Sequence, residues 1–291
     1  MKKIIVFISI SYVISGIFGI IIWNLPKTES LINPLQMLFS VLLMTTPAFT
    51  AFLVERKKFS EITKKFQLNF KTINWKQTFK YLLITNLLLP VLVIFYGYVL
   101  GNVLEINVFG KLPTDYTQLH PMIQNTPIVK TDYFLPVLIL IIFIYSSLLS
   151  ISINGLIAMG EEIGWRGFLE SNINLPFFKK NILIGIIWGI WHAPIIILCG
   201  HNYPSYPYWG ILMMVISCIS LSFYFSFALK NTRSLFVMGA LHGGINAVIP
   251  MLATVQINYN EIFGPVGLLS VLSVLTIFTI DYTLNPKKIY A

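Results

Sequence analysis

Charge is scarce in this chain: 11% of its 291 residues are Asp, Glu, Lys or Arg. A soluble globular domain carries roughly a quarter. The hydrophobic fraction is 56% and the mean hydropathy +0.77. A large soluble core is thereby excluded in favour of a polytopic membrane protein, whose element lengths are set by the bilayer. Only two cysteines occur, Cys199 and Cys218, both in or beside apolar runs. They form neither a disulfide framework nor metal-ligand spacing. No H-E-x-x-H surrounds any histidine, no G-x-S-G is present, and Asp281 is the only aspartate within an apolar run, so no aspartyl pair is available. There is no internal repeat and no low-complexity tract.

What the chain does have is apolar runs, at 4–23, 34–54, 79–100, 134–158, 181–199, 208–229, 234–253 and 262–282. About 20 apolar residues cross a hydrocarbon core as a helix. Lipid cannot satisfy free backbone groups, and the runs do not alternate as barrel strands do. The fold class is therefore all-α, a polytopic bundle of about eight spanning helices. The N-terminal run reads as the first span rather than a signal peptide, because it is long and no small-x-small site follows it. With the N-terminus in the cytoplasm, 17 of the 20 basic residues fall on that side. Only Lys27, Lys111 and Lys130 fall outside. This is the positive-inside pattern. It predicts a multi-pass protein of the plasma membrane with both termini cytoplasmic and with lipid as a partner. Basic residues dispersed over short loops do not suit nucleic acid.

Three regions follow. Residues 1–133 form an N-terminal three-helix region whose basic cytoplasmic loop, 55–80, mixes lysines with Phe59, Ile62, Phe66, Phe70, Ile73 and Trp75. That loop reads either as an interfacial segment on the inner leaflet or as a plain basic loop. Residues 134–253 carry the chemistry, and 254–291 are the last helix and tail. From Phe134 to Glu161 a straight helix would cover roughly 40 Å, too long for one upright span. It must start later or tilt, and Gly155 and Gly160 offer a kink or close packing. His120 and His201 fall in external loops and read as bland.

Polar residues inside spans are functional hypotheses by default. Glu161 and Glu162 adjoin, and Arg166 lies four residues after Glu162, on the same helix face. Glu161 is then left to face another helix. His192 lies in "WGIWHAP", with Trp188 one turn before it. His242 and Asn246 are four apart in "LHGGIN". Counted from the cytoplasmic side, both histidines lie roughly 12–18 Å down their helices. The groups can converge in a cavity open to the cytoplasm. Each group alone suits a structural role, but four polar groups at matching depth on three helices suit a site. A Glu, two His and an Asn can deprotonate a water and stabilise an oxyanion. Glu161, His192 and His242 can alternatively ligate zinc.

"EEIGWRG", "WGIWHAP" and "HGGIN" resemble, in order and spacing, the three motifs of the CAAX protease and bacteriocin-processing family, E-E-x-x-x-R, F-x-x-x-H and H-x-x-x-N. Trp188 stands where the second pattern often has Phe. The resemblance covers about 135–250 and implies an intramembrane endopeptidase acting on a membrane-proximal or lipid-modified peptide. It implies Glu161 with His192 as the base that activates water, Glu162 as an accessory carboxylate, Arg166 as the residue orienting the glutamates, and His242 with Asn246 as the oxyanion-stabilising pair. It leaves zinc dependence open. A non-catalytic immunity or accessory protein on the same fold is the alternative. A transporter is a third class, but the repeats and interrupted helices it favours are not evident.

Overall fold

The computed structural model describes residues 2–26, 34–105, 134–254 and 260–289. Lys27, Lys111, Lys130 and His120 lie outside them. Every regular element among the described residues is helical. In chain order these are α1 (Lys2–Asn24), α2 (Pro34–Glu55), α3 (Phe59–Lys65), α4 (Trp75–Leu83), α5 (Leu89–Leu104), α6 (Phe134–Ser150), α7 (Ile153–Glu162), α8 (Glu170–Asn172), α9 (Phe177–Trp191), α10 (Ala193–Cys199), α11 (Pro207–Thr232), α12 (Leu235–Thr254) and α13 (Leu268–Leu284). Wide π-helical turns join α4 to α5 over Ile84–Leu88 and α7 to α8 over Ile163–Leu169.

Six helical stretches are long and apolar enough to cross a membrane, and a bent pair, Ile139–Ser150 with Ile153–Asn172, makes a seventh. The 17-residue α13 is apolar and occupies the place of the eighth. The chain is an integral, multi-pass membrane protein. The over-long run from Phe134 is broken by a 59° bend after Ser150. The corner is held by Ser150 Oγ, which donates to the Ala240 carbonyl of α12 at 2.6 Å. Gly155 and Gly160 lie beyond the bend and serve close packing. A Cβ on Gly160 would come within 2.6 Å of the Met44 carbonyl oxygen on α2. One on Gly243 of α12 would come within 2.5 Å of the Gly155 nitrogen. Backbones that approach this closely suit membranes, where helix association depends on van der Waals packing.

One end of the bundle is basic. There Lys65 bridges buried Glu55 at 3.0 Å and Asn172 at 2.9 Å, tying α2, α3 and α8. Lys80 pairs with Asp281 at 2.5 Å, and Tyr81 donates to the same carboxylate. The lone aspartate of the spans is thus neutralised structurally. The 55–80 segment has mixed character. Ile62 and Phe66 are buried, while Phe59, Phe70 and Trp75 are exposed among the lysines. Among the described residues the opposite end carries no Lys or Arg, but it does carry Glu105 and Glu261.

Candidate active site

The local backbone explains how the site is presented. Pro194 has no N–H to give and its ring clashes with the preceding turn, so α9 stops and α10 restarts with proline near its first position. At the break His192 N–H bonds the Gly189 carbonyl at 3.2 Å, one residue short of the helical partner. The Trp188 carbonyl is freed, and His192 Nδ1 donates to it at 3.0 Å. A carbonyl only accepts, so Nδ1 carries the proton and Nε2 is the lone-pair nitrogen of the neutral ring. α1 braces this corner, with Ser15 donating to the Trp191 carbonyl at 2.6 Å and Tyr12 to that of Ile187 at 3.0 Å. α9 begins at Phe177, four residues before the expected 181, so His192 sits deeper than its counted depth, roughly 22 Å from the helix start at 1.5 Å per residue.

The two adjacent glutamates are held by different partners. Glu161 Oε2 accepts from Trp188 Nε1 at 2.6 Å and from Trp165 Nε1 at 3.3 Å. Glu162 Oε1 accepts from His242 Nδ1 at 2.8 Å and from an Arg166 terminal nitrogen at 3.4 Å. Its Oε2 lies 3.3 Å from Arg166 Nε. That contact is electrostatic, without hydrogen-bond alignment. Both side chains of the Glu162–Arg166 pair are fully enclosed. The guanidinium carbon is 4.4 Å from the Trp188 ring centre and 4.9 Å from that of Phe225, and a terminal nitrogen reaches Ser222 Oγ at 3.4 Å. Arg166 therefore braces Glu162, while two indoles brace Glu161.

A cavity of about 360 Å³ joins these groups and falls within the range of ligand pockets. Glu161, His192, His242 and Asn246 line it, whereas Glu162 and Arg166 stand behind the wall. From Glu161 it runs past Ile195, Ser217 and Ile249 to Gln36, His201 and Asn202. Gln36 and His201 are exposed, so the cavity reaches the surface at the end opposite the basic one. Cytoplasmic termini and a cavity open to the cytoplasm, both expected above, are therefore incompatible in this structure. The reason is direction: the space lies beyond the motif residues along their helices, away from the lysines. His201 is also not the bystander expected of it, because its ring lies 6.5 Å from that of His192, nearly parallel to it.

Each imidazole has the outer hydrogen bond that orients a metal-ligating histidine. Yet among the described residues no three His, Cys, Asp or Glu side chains gather closely enough to hold a metal ion. Glu161, His192 and His242 are not drawn into such a group, and one oxygen of Glu161 is engaged by indoles. As arranged, the donors do not fit a metal.

Residues 134–248 match the family model described as type II CAAX prenyl endopeptidase Rce1-like. The helical core is thus similar to the type II CAAX prenyl endopeptidases. All six motif residues lie inside that match. The chain is also 34% identical over 113 residues to CAAX prenyl protease 2 of Methanococcus maripaludis, a match covering 35% of this chain and 40% of the relative. The chain thus spans less than half the length of that curated relative. Here α1 and α2, outside the matched residues, also line the cavity, through Ile22, Gln36, Ser40, Leu43 and Met44.

Sequence reasoning missed the two tryptophans as partners of Glu161. Trp165 lies four residues after it, a helical spacing that pairs side chains. Trp188 requires the fold, since its helix is joined to α7 only through tertiary packing.

Proposed function

We propose that this protein is an intramembrane endopeptidase in which Glu161 activates a water against a peptide bond. The observation that carries this reading is a carboxylate, held by two indole N–H groups, lining an apolar cavity with His192, His242 and Asn246. Glu161 takes a proton from water as the hydroxyl oxygen bonds to the scissile carbonyl carbon. Asn246 donates to the oxygen that becomes negative. His242, whose Nδ1 donates to Glu162, supports the same oxygen beside Asn246. Nε2 of His192 accepts from the water and shares the proton. Glu161 then passes the proton to the leaving nitrogen as the C–N bond breaks, giving a free acid and a free amine. Zinc is not needed for any of these steps.

The substrate class in this reading is a membrane-associated or lipid-modified peptide, and the name of the relative makes a CAAX prenyl-peptide the first probe. In this reading the membrane is the cell membrane and the termini lie in the cytoplasm, which the basic end of the bundle supports. The test is Glu161→Gln, purified in detergent and assayed on fluorogenic apolar and CAAX prenyl-peptides. Loss of cleavage with an unchanged elution profile and thermal midpoint supports the assignment. Wild-type turnover in the variant removes Glu161 from the base role, and absence of cleavage by the wild type favours the non-catalytic alternative.

A further inference from the structure

Two features of the molecule point the same way. The first is the charge asymmetry. Lysines and arginines crowd one end of the bundle, and none occupies the other among the described residues. Positive-inside orientation places the crowded end in the cytoplasm. The second is the direction of the cavity, which runs from Glu161 to Gln36, His201 and Asn202 at the uncharged end. Its rim there is a built structure. Gly200 and Asn202 both take left-handed backbone conformations, with φ of 67° and 62°, on either side of His201. Tyr203 is fully buried and donates to the Val266 carbonyl at 2.8 Å. Ser205 donates to Glu261 through its hydroxyl at 2.7 Å and its backbone N–H at 3.0 Å.

From these we infer that the site is served from the extracytoplasmic face, and that its substrate is an uncharged, apolar peptide segment presented at or in the outer leaflet. The inference rests on the peptidase reading above for what happens to the segment, but not for the side from which it comes. The lining sets the chemistry of the segment. Among the described lining residues Glu161 is the only carboxylate, and none is Lys or Arg. Beyond Glu161 and the histidines the described lining side chains are uncharged, so a charged residue along the segment would find no partner there, and burying an unpaired charge costs several kcal/mol or more. Apolar side chains such as Leu43, Ile195, Ile249 and Val266 instead offer area to apolar ones. A substrate arriving from the cytoplasm would have to cross the closed half of the bundle, where the Glu162–Arg166 pair is fully enclosed.

The experiment has two arms. Asn202→Cys and Lys57→Cys are made separately in a Cys199→Ser, Cys218→Ser background. Intact cells are treated with a membrane-impermeant thiol reagent. Labelling of Asn202→Cys in intact cells, with Lys57→Cys labelled only after permeabilisation, is expected. The reverse pattern overturns the inference. The second arm uses single-span reporters that carry the same uncharged apolar segment just outside or just inside the membrane. Cleavage of the outside reporter and loss of cleavage of the inside one are expected, and the outside cleavage should be lost when Asn202→Cys is blocked with the impermeant reagent. Cleavage confined to the inside reporter, or equal cleavage of both, overturns the inference. Both reporters are also offered to the detergent-solubilised wild type. Failure of cleavage there sinks the peptidase reading, whereas the labelling arm still decides which face the cavity opens to.

Discussion

Trp188→Phe isolates one hydrogen bond in the proposed site. Phenylalanine is the residue that the family pattern often has at this position, so the substitution is compatible with the fold. The ring that packs under the Arg166 guanidinium is kept in kind, and only the indole N–H and part of the ring volume are removed. What disappears is the 2.6 Å contact to Glu161 Oε2, leaving that oxygen with Trp165 at 3.3 Å. A hydrogen bond to a charged group contributes about 1.5–3 kcal/mol. At about 1.4 kcal/mol per tenfold in rate, the expected loss in kcat is about ten- to 150-fold. KM should hold, because the bond positions the base and does not touch the peptide. Trp165→Phe should cost less, since its contact is longer. The assay is initial-rate cleavage of a fluorogenic peptide by detergent-purified protein, with a thermal melt beside it to separate packing loss from catalysis. Wild-type kcat in Trp188→Phe, or a larger loss in Trp165→Phe, would refute the claim that the indoles hold the base.

The spans were legible because their length and apolarity follow from the solvent, and the motif residues were legible because charges are costly in lipid. Glu162 and Arg166 pair as their spacing of four requires, even though a wide turn begins between them. The partners of Glu161 were not legible. Trp188 reaches it only because α9 packs beside α7, and nothing local to "WGIWHAP" encodes that. The bend after Ser150 was hidden for a similar reason: Ile151 and Ser152 are ordinary residues, and the corner is fixed by a hydrogen bond to α12, ninety residues away. The direction of the cavity was misjudged because counting residues along a helix gives depth but not which side of a side chain is hollow. Glu161 lies near the basic end in sequence, yet the empty space lies on its far side, against α10 and α12.

Three further outcomes are expected. Arg166→Ala should lower the thermal midpoint in detergent and abolish cleavage, because removing one partner of an enclosed ion pair costs about 3–5 kcal/mol. A wild-type midpoint would mean that the charge of Glu162 is balanced elsewhere. Glu162→Gln keeps an oxygen for His242 Nδ1 but removes the carboxylate that anchors it and pairs with Arg166, so kcat should fall with KM held; unchanged kcat would remove His242 from the oxyanion role. The last concerns metal. Glu161 commits one oxygen to two indoles, His242 commits Nδ1 to Glu162, and His192 commits Nδ1 to a carbonyl. Zinc ligation by these three would require Glu161 and both free Nε2 atoms to move within about 2.0–2.2 Å of one point. Holding them there would strain or break the short bond from Trp188. Purified protein is therefore expected to contain substoichiometric zinc by mass spectrometry and to cleave peptide at an undiminished rate after a strong chelator. Stoichiometric zinc together with activity lost to the chelator and restored by zinc would overturn this, and would mean that the indole contacts to Glu161 give way when the site is loaded.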